Sequence, residues 1–166
     1  MRILVTAASR HGAAQEVADA IAERLRANGV EVVIAAPEDV ENLDGFDAAV
    51  VGSAVYMRQW DQRALALLDR VGDQLKTMPV WGFSVGMAGV PKRAPQDPRR
   101  IGPNDTERLF QHHRAFAGRY DPTILPLRER TIARMAGAVE GDFRDWEAIA
   151  GWADTISADL SAANKQ

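Results

Sequence analysis

Arg2-Ile3-Leu4-Val5-Thr6 is a short apolar run with no polar alternation. A strand of that kind expects both of its faces to be covered, as in a parallel sheet with helices on either side. The next segment changes period. Over 13–28, Val17, Ile21 and Leu25 fall on one stripe, while Glu16, Asp19, Glu23 and Arg26 face away. Gly29 stands where such a helix stops. Strand followed by amphipathic helix is the unit that constrains this chain most, and it recurs.

Further strands are expected at 30–35, 46–52, 80–84 and 115–120. The polar connection 38–45 allows one helical turn. Asp61 is placed to cap a helix reaching about residue 76, with Ala64, Leu67, Leu68, Val71 and Leu75 inward. Met78-Pro79 opens the fourth strand, where a proline loses no ladder bond. Residues 85–103 are broken by glycines and prolines into an irregular stretch. Asn104 then caps a short helix to about 113. Residues 121–141 are ambiguous, with part helical. A last helix spans 142–162, with Trp146, Ile149, Ala153, Ile156 and Leu160 on one side.

Strands alternating with helices imply an α/β chain with a parallel sheet. Five strands fit a doubly wound three-layer sandwich of order 2-1-3-4-5, since right-handed crossovers then cover both faces. With 166 residues, no internal repeat and no linker, residues 1–166 are expected to form one domain. The chain has no cysteine, which removes disulfides, iron–sulfur clusters and a thiol nucleophile. Three histidines make a multi-histidine metal centre improbable, so no metal is expected. His112-His113 reads as a surface pair on a short helix, pointing in different directions. A net charge of −3 argues against nucleic acid as partner. No apolar run nears the ~20 residues of a membrane span, and no signal-peptide core follows Met1-Arg2, so the expected location is the cytoplasm.

In an open parallel sheet the ligand crevice lies at the carboxyl ends of the strands, where strand order reverses. Three segments converge there. Ser9, Arg10, His11, Gly12, Ala13 and Ala14 turn from the first strand into a helix N-terminus, a ready anion site, or a plain loop with Ser9 as N-cap. It is neither a dinucleotide fingerprint nor a P-loop. Ser53, Ala54, Val55, Tyr56 and Trp60 offer two aromatic rings, which would stack a flat ligand or merely cover the sheet edge. Ser84, Val85, Gly86, Met87 and Gly89 make a small-residue wall that lets backbone approach closely. Together these describe a phosphate end, an aromatic wall and a backbone wall, which suits FMN better than a free anion.

The sequence resembles the flavodoxin-like proteins, and among them the branch related to menaquinone-dependent protoporphyrinogen dehydrogenase. Ile3-Leu4-Val5, Ser9-Arg10-His11-Gly12, Val51-Gly52-Ser53-Ala54-Val55-Tyr56, Pro79-Val80-Trp81-Gly82-Phe83-Ser84, Phe116-Ala117-Gly118 and Gly141-Asp142-Phe143-Arg144-Asp145-Trp146 carry the resemblance, which spans nearly the whole chain. It implies a flavodoxin-like three-layer sandwich and FMN as cofactor. The phosphate would lie on 9–14, and the ring would lie between 53–60 and 84–89. It also implies an extra segment late in the chain, where 119–141 stands, and a homodimer. A redox partner or a small-molecule substrate, such as a quinone or porphyrinogen, would complete the reaction.

Two readings follow. The first is an FMN-binding redox protein, acting in electron transfer or as an FMN-dependent oxidoreductase. The flavin would carry the chemistry, so no side-chain acid or base is required. Lys92, Arg93, Arg99 and Arg100 beside the crevice would pair with carboxylates, or form a solvated surface. The second is a flavodoxin-fold binding module with lost or weakened FMN binding. Its motive is Ala8, Ala13 and Ala14, where relatives carry hydroxyls. Losing two hydrogen bonds to a charged group would weaken binding by up to ~3–6 kcal/mol. A phosphoacceptor domain is excluded, because Thr6-Ala7-Ala8 and Gly52-Ser53 stand where carboxylates would be needed.

Overall fold

The structure is a computed structural model and describes residues 1–88, 90–93, 95–103 and 109–163. Strand β1 (Arg2–Ala8) leads into helix α1 (Ala13–Ala27), then β2 (Glu31–Ile34) and a 3-10 turn at Pro37–Asp39. Next come β3 (Ala48–Tyr56), β4 (Gln59–Trp60), α2 (Gln62–Leu75) and β5 (Val80–Gly86). A second 3-10 turn at Pro98–Arg100 precedes β6 (His112–Ala117) and β7 (Arg119–Tyr120). The chain finishes with α3 (Leu127–Met135), β8 (Gly141–Asp142) and α4 (Trp146–Ala163).

The main sheet runs β2-β1-β3-β5-β6, and all four pairings along it are parallel. The expected order 2-1-3-4-5 counted five strands. A sixth, β4, pairs antiparallel with the end of β3, Val55 opposite Trp60 and Tyr56 opposite Gln59. A separate two-stranded ribbon joins β7 to β8.

Alternation along the strands feeds two cores. Ile3, Val5, Val50, Trp81, Phe83 and Phe116 face α1 and α4. Leu4, Ala49, Val51, Val80 and Phe110 face α2 and Trp60. On α1, Val17, Ile21 and Leu25 are buried as the spacing requires, and Asn28 and Gly29 (φ 83°) end the helix. Asp61 caps α2 by accepting from the Arg63 N–H at 3.0 Å. Gly52 admits the Phe83 ring, since a Cβ there would lie 2.1 Å from Cζ.

Several boundaries differ from expectation. β3 continues through Tyr56, so 53–60 is a hairpin rather than a loop. Its turn residues, Met57 and Arg58, have φ of 50° and 66°, as a two-residue primed turn demands. His112 and His113 lie in β6, not on a helix, because the chain returns to the sheet three residues earlier than the pattern suggested. The helix start expected at Asn104 lies outside the described residues. The fifth strand ends at Ala117, and Arg119–Tyr120 turns away into the ribbon. The last helix begins at Trp146, whose ring is exposed, while Trp152 takes the core place. Trp146 instead stacks under the Arg144 guanidinium, 4.5 Å away.

Among the described residues, no helix is long and apolar enough to cross a membrane.

Candidate functional site

The carboxyl ends of β1, β3 and β5 open on one cleft of about 600 Å³. Ser9, Arg10, His11, Ala13 and Ala14 form one end, Ala54, Val55 and Tyr56 one side, and Ser84, Val85, Gly86 and Met87 the floor. The three segments chosen from the sequence therefore meet. Gly89 lies outside the described residues.

At the first end, Gly12 takes the left-handed conformation (φ 85°) and is the N-cap of α1. Ser9 is therefore not the cap. Its Oγ is buried and has no hydrogen-bond partner. The first turn of a helix leaves its N–H groups without intrahelical partners. A buried hydroxyl with nothing to bond, on a residue that lines a cleft beside such a turn, suits an oxyanion. Arg10 lies over the Tyr56 ring at 5.4 Å, with Asp61 at 3.5 Å and Glu129 at 3.7 Å. His11 Nε2 contacts Glu129 at 2.9 Å. Arg119 donates to the His11 carbonyl at 3.4 Å and pairs with Glu16 at 3.1 Å.

A buried guanidinium braces this end from behind. The Arg144 side chain is 3% exposed and pairs with Glu16 and Asp142, each at 2.6 Å. Its hydrogen bonds hold both carboxyls below their ordinary range. The β7–β8 ribbon and the start of α1 are thereby tied together.

Ala8 packs into the core on the α2 side and does not line the cleft. Ser53 is buried too. Its Oγ donates to the Ala54 carbonyl at 2.8 Å and accepts from the Asp61 N–H at 2.9 Å, which locks the hairpin onto α2. Trp60 does not form an aromatic wall of the cleft. The hairpin turns its side chain inward, where it is 2% exposed and stacks on Phe110 at 5.7 Å. Only Tyr56 of the two rings faces the cleft.

Trp60 Nε1–H donates to Ser84 Oγ at 2.8 Å, and Ser84 Oγ lies 2.8 Å from His113 Nε2. Burial pushes the His113 pKa down to about 4, so the ring is neutral near pH 7. A neutral His113 accepts the Ser84 O–H at Nε2 and carries its proton on Nδ1, which has no partner among the described residues. Ser84 thus sits in the cleft floor with its hydroxyl fixed between Trp60 and His113 rather than turned to the cleft.

The resemblance implied an extra segment at 119–141, but sequence reasoning did not place it on the cleft. Leu125, Glu129, Ile132, Ala133 and Val139, from α3 and its flanks, line the cleft opposite the hairpin. None of the α3 residues is fully buried, so the segment shows only weak apolar periodicity. Arg119 and Phe116 were likewise hidden in what read as a plain fifth strand. Lys92 and Arg93 do line the cleft, and Arg100 does not. The Arg99 side chain lies outside the described residues.

A family model described as "Flavodoxin domain" matches residues 4–146. Among solved structures, rubredoxin oxygen:oxidoreductase from Desulfovibrio gigas matches with a TM-score of 0.63 and 13% identity. That match covers 97% of this chain, which spans only 36% of the other's length. A cysteine-to-serine mutant of flavodoxin from Pseudomonas aeruginosa matches with a TM-score of 0.59 and 17% identity, covering 97% of this chain and 99% of that one. A Streptococcus pneumonia flavodoxin matches with a TM-score of 0.54 and 16% identity, covering 98% and 99%. At these identities the likeness is one of fold. No curated protein matches the chain.

Proposed function

The chain belongs to the flavodoxin domain family, and on that premise we propose that it binds FMN in this cleft and acts as a flavodoxin-type redox protein. The observation that carries the reading is the buried, unpartnered Ser9 hydroxyl beside the N-terminus of α1. A phosphate there would receive the Ser9 O–H and the N–H groups of the first helical turn, with Arg10 and His11 close by. FMN would supply the hydride and electron chemistry. Around it, Tyr56 would cover one face, Gly86 and Met87 would bring backbone near the other, and Ser84, fixed by Trp60 and His113, would complete the floor. The cover from 125 to 139 would exclude water.

The alanines do not favour the cofactor-free module. Ala8 belongs to the core rather than the cleft, so a hydroxyl there would not face a ligand. Ala13 and Ala14 do line the cleft, but backbone donors are independent of side chain.

A more specific reading is an enzyme resembling the menaquinone-dependent protoporphyrinogen dehydrogenase branch, acting in the cytoplasm as a homodimer of single-domain chains. The covering segment 119–142 supports it. Lys92, Arg93 and Arg119 on the cleft would pair with an anionic substrate or an acidic redox partner. A quinone or a porphyrinogen would be the second reactant.

The test is a visible absorption spectrum of the purified protein, followed by FMN titration read by flavin fluorescence. The expected result is a bound-flavin spectrum, or saturable quenching at micromolar FMN or below. Neither signal at millimolar FMN would overturn the reading.

A further inference from the structure

We infer that Glu129 is a resident anion at the phosphate end of the cleft, that a ligand phosphate must displace it, and that this carboxylate therefore sets how strongly phosphate-bearing ligands are preferred. The inference deepens the proposed function and rests on its placing of a phosphate at Ser9–Gly12.

Both basic side chains of that turn are already engaged. Glu129 Oε2 lies 2.9 Å from His11 Nε2, and Oε1 lies 3.7 Å from Arg10 Nη1. Arg10 is shared with Asp61, a second carboxylate, at 3.5 Å. Ser9 Oγ in the same turn is buried and unpartnered. The turn thus holds two carboxylates in contact, of which Glu129 alone touches both basic side chains, and one hydroxyl still without an acceptor. A phosphate bonded to Ser9 would meet Glu129 as a like charge competing for the same two donors.

Displacement is feasible because little else holds Glu129. Its helix, α3, contributes no fully buried residue, and Leu127 and Met135 are exposed. Apolar burial anchors this element weakly, so the contacts to Arg10 and His11 carry much of its attachment to the α1 end of the cleft. Phosphate binding and the release of α3 are then linked through the same two side chains. Glu129 discriminates: a flavin without phosphate leaves it in place, and a flavin with phosphate does not.

The experiment compares wild type with Glu129→Gln and Glu129→Ala, using FMN, riboflavin and inorganic phosphate as probes. Flavin binding is read by fluorescence, phosphate by NMR shifts of the Ser9–Gly12 amides, and α3 by hydrogen exchange of 127–135. Both variants are expected to bind FMN and inorganic phosphate at least about tenfold tighter, with riboflavin affinity unchanged. In wild type, phosphate should speed exchange in α3. An unchanged FMN-to-riboflavin ratio, with flavin bound, overturns the inference and leaves the FMN reading standing. Tighter inorganic phosphate in the variants, with no flavin bound by any protein, overturns the FMN reading and leaves Glu129 its role. Failure of all three proteins to bind phosphate or flavin overturns both.

Discussion

Ser9 and His113 are both polar residues with an atom that lacks a partner, and they have opposite consequences. Ser9 lines the cleft, so a ligand would complete it. Ser9→Ala together with Arg10→Ala is expected to abolish FMN retention through gel filtration. Two charge-assisted hydrogen bonds correspond to about 3–6 kcal/mol, or roughly a hundredfold to ten-thousandfold in Kd. Unchanged affinity by titration would remove the phosphate from this turn. His113 is packed under Trp60 and Phe110, so its neutral form belongs to the fold. Its folded pKa of about 4 lies below the ordinary 6.5, so the unfolded chain binds the proton more readily. The stabilisation is fully present above about pH 6.5 and is lost as pH falls towards 4, amounting to about 3 kcal/mol. Urea unfolding of wild type and His113→Gln at pH 7, 5.5 and 4.5 should show a steeper acid loss in wild type. The carboxylates of Asp61 and Asp142, held low by Arg63 and Arg144, add their loss at lower pH in both proteins. The first of these residues was legible, because Ser9 stands directly between strand and helix. The second was not: a His-His pair read as the end of a short helix gives no sign that the next strand has begun.

Elements with one strong period were readable, and elements whose ends depend on a partner were not. α1 and α2 declare themselves by apolar spacing and by the caps Gly29 and Asp61. β3 was read four residues short, since Ser53-Ala54-Val55-Tyr56 lacks a turn signal that would announce a hairpin. That hairpin is what removes Trp60 from the cleft. Its turn places two ordinary side chains in the left-handed region, a conformation disfavoured by roughly 1–2 kcal/mol per residue outside glycine and asparagine. Met57→Asn with Arg58→Gly is therefore expected to raise unfolding stability by about 1–2 kcal/mol, measured by urea titration. Gly52 acts in the opposite sense. An alanine methyl would collide with the Phe83 ring between β3 and β5. Gly52→Ala should lower stability by about 1–3 kcal/mol, and an unshifted Tm would mean that the ring has room to move. The helix expected somewhere in 121–141 is α3, but its bounds and its place on the cleft were not legible, for a physical reason visible in its burial: a segment that covers a cleft has no continuous core face to display.

At the scale of the whole molecule, the parallel architecture followed from a few buried runs. Their doubly covered faces leave no alternative to helices on both sides. The covering is unequal in time, however. One face of the sheet is completed by α1 and α4, whose Ile149, Trp152, Ala153, Ile156 and Leu160 close the core over Phe83 and Phe116. Arg24 fastens the two helices by a bidentate pair with Asp154 at 2.7 and 2.8 Å. A chain ending at residue 145 is expected to bind a hydrophobic dye and to lose cooperative thermal unfolding; a sharp transition would show that α4 is dispensable. Translation proceeds from the other end, so Trp81 and Phe83 leave the ribosome long before the helix that shields them. During that interval the nascent polypeptide carries an open, apolar sheet face. Chaperone contact and the speed of elongation through the codons of α4 thus become determinants of yield.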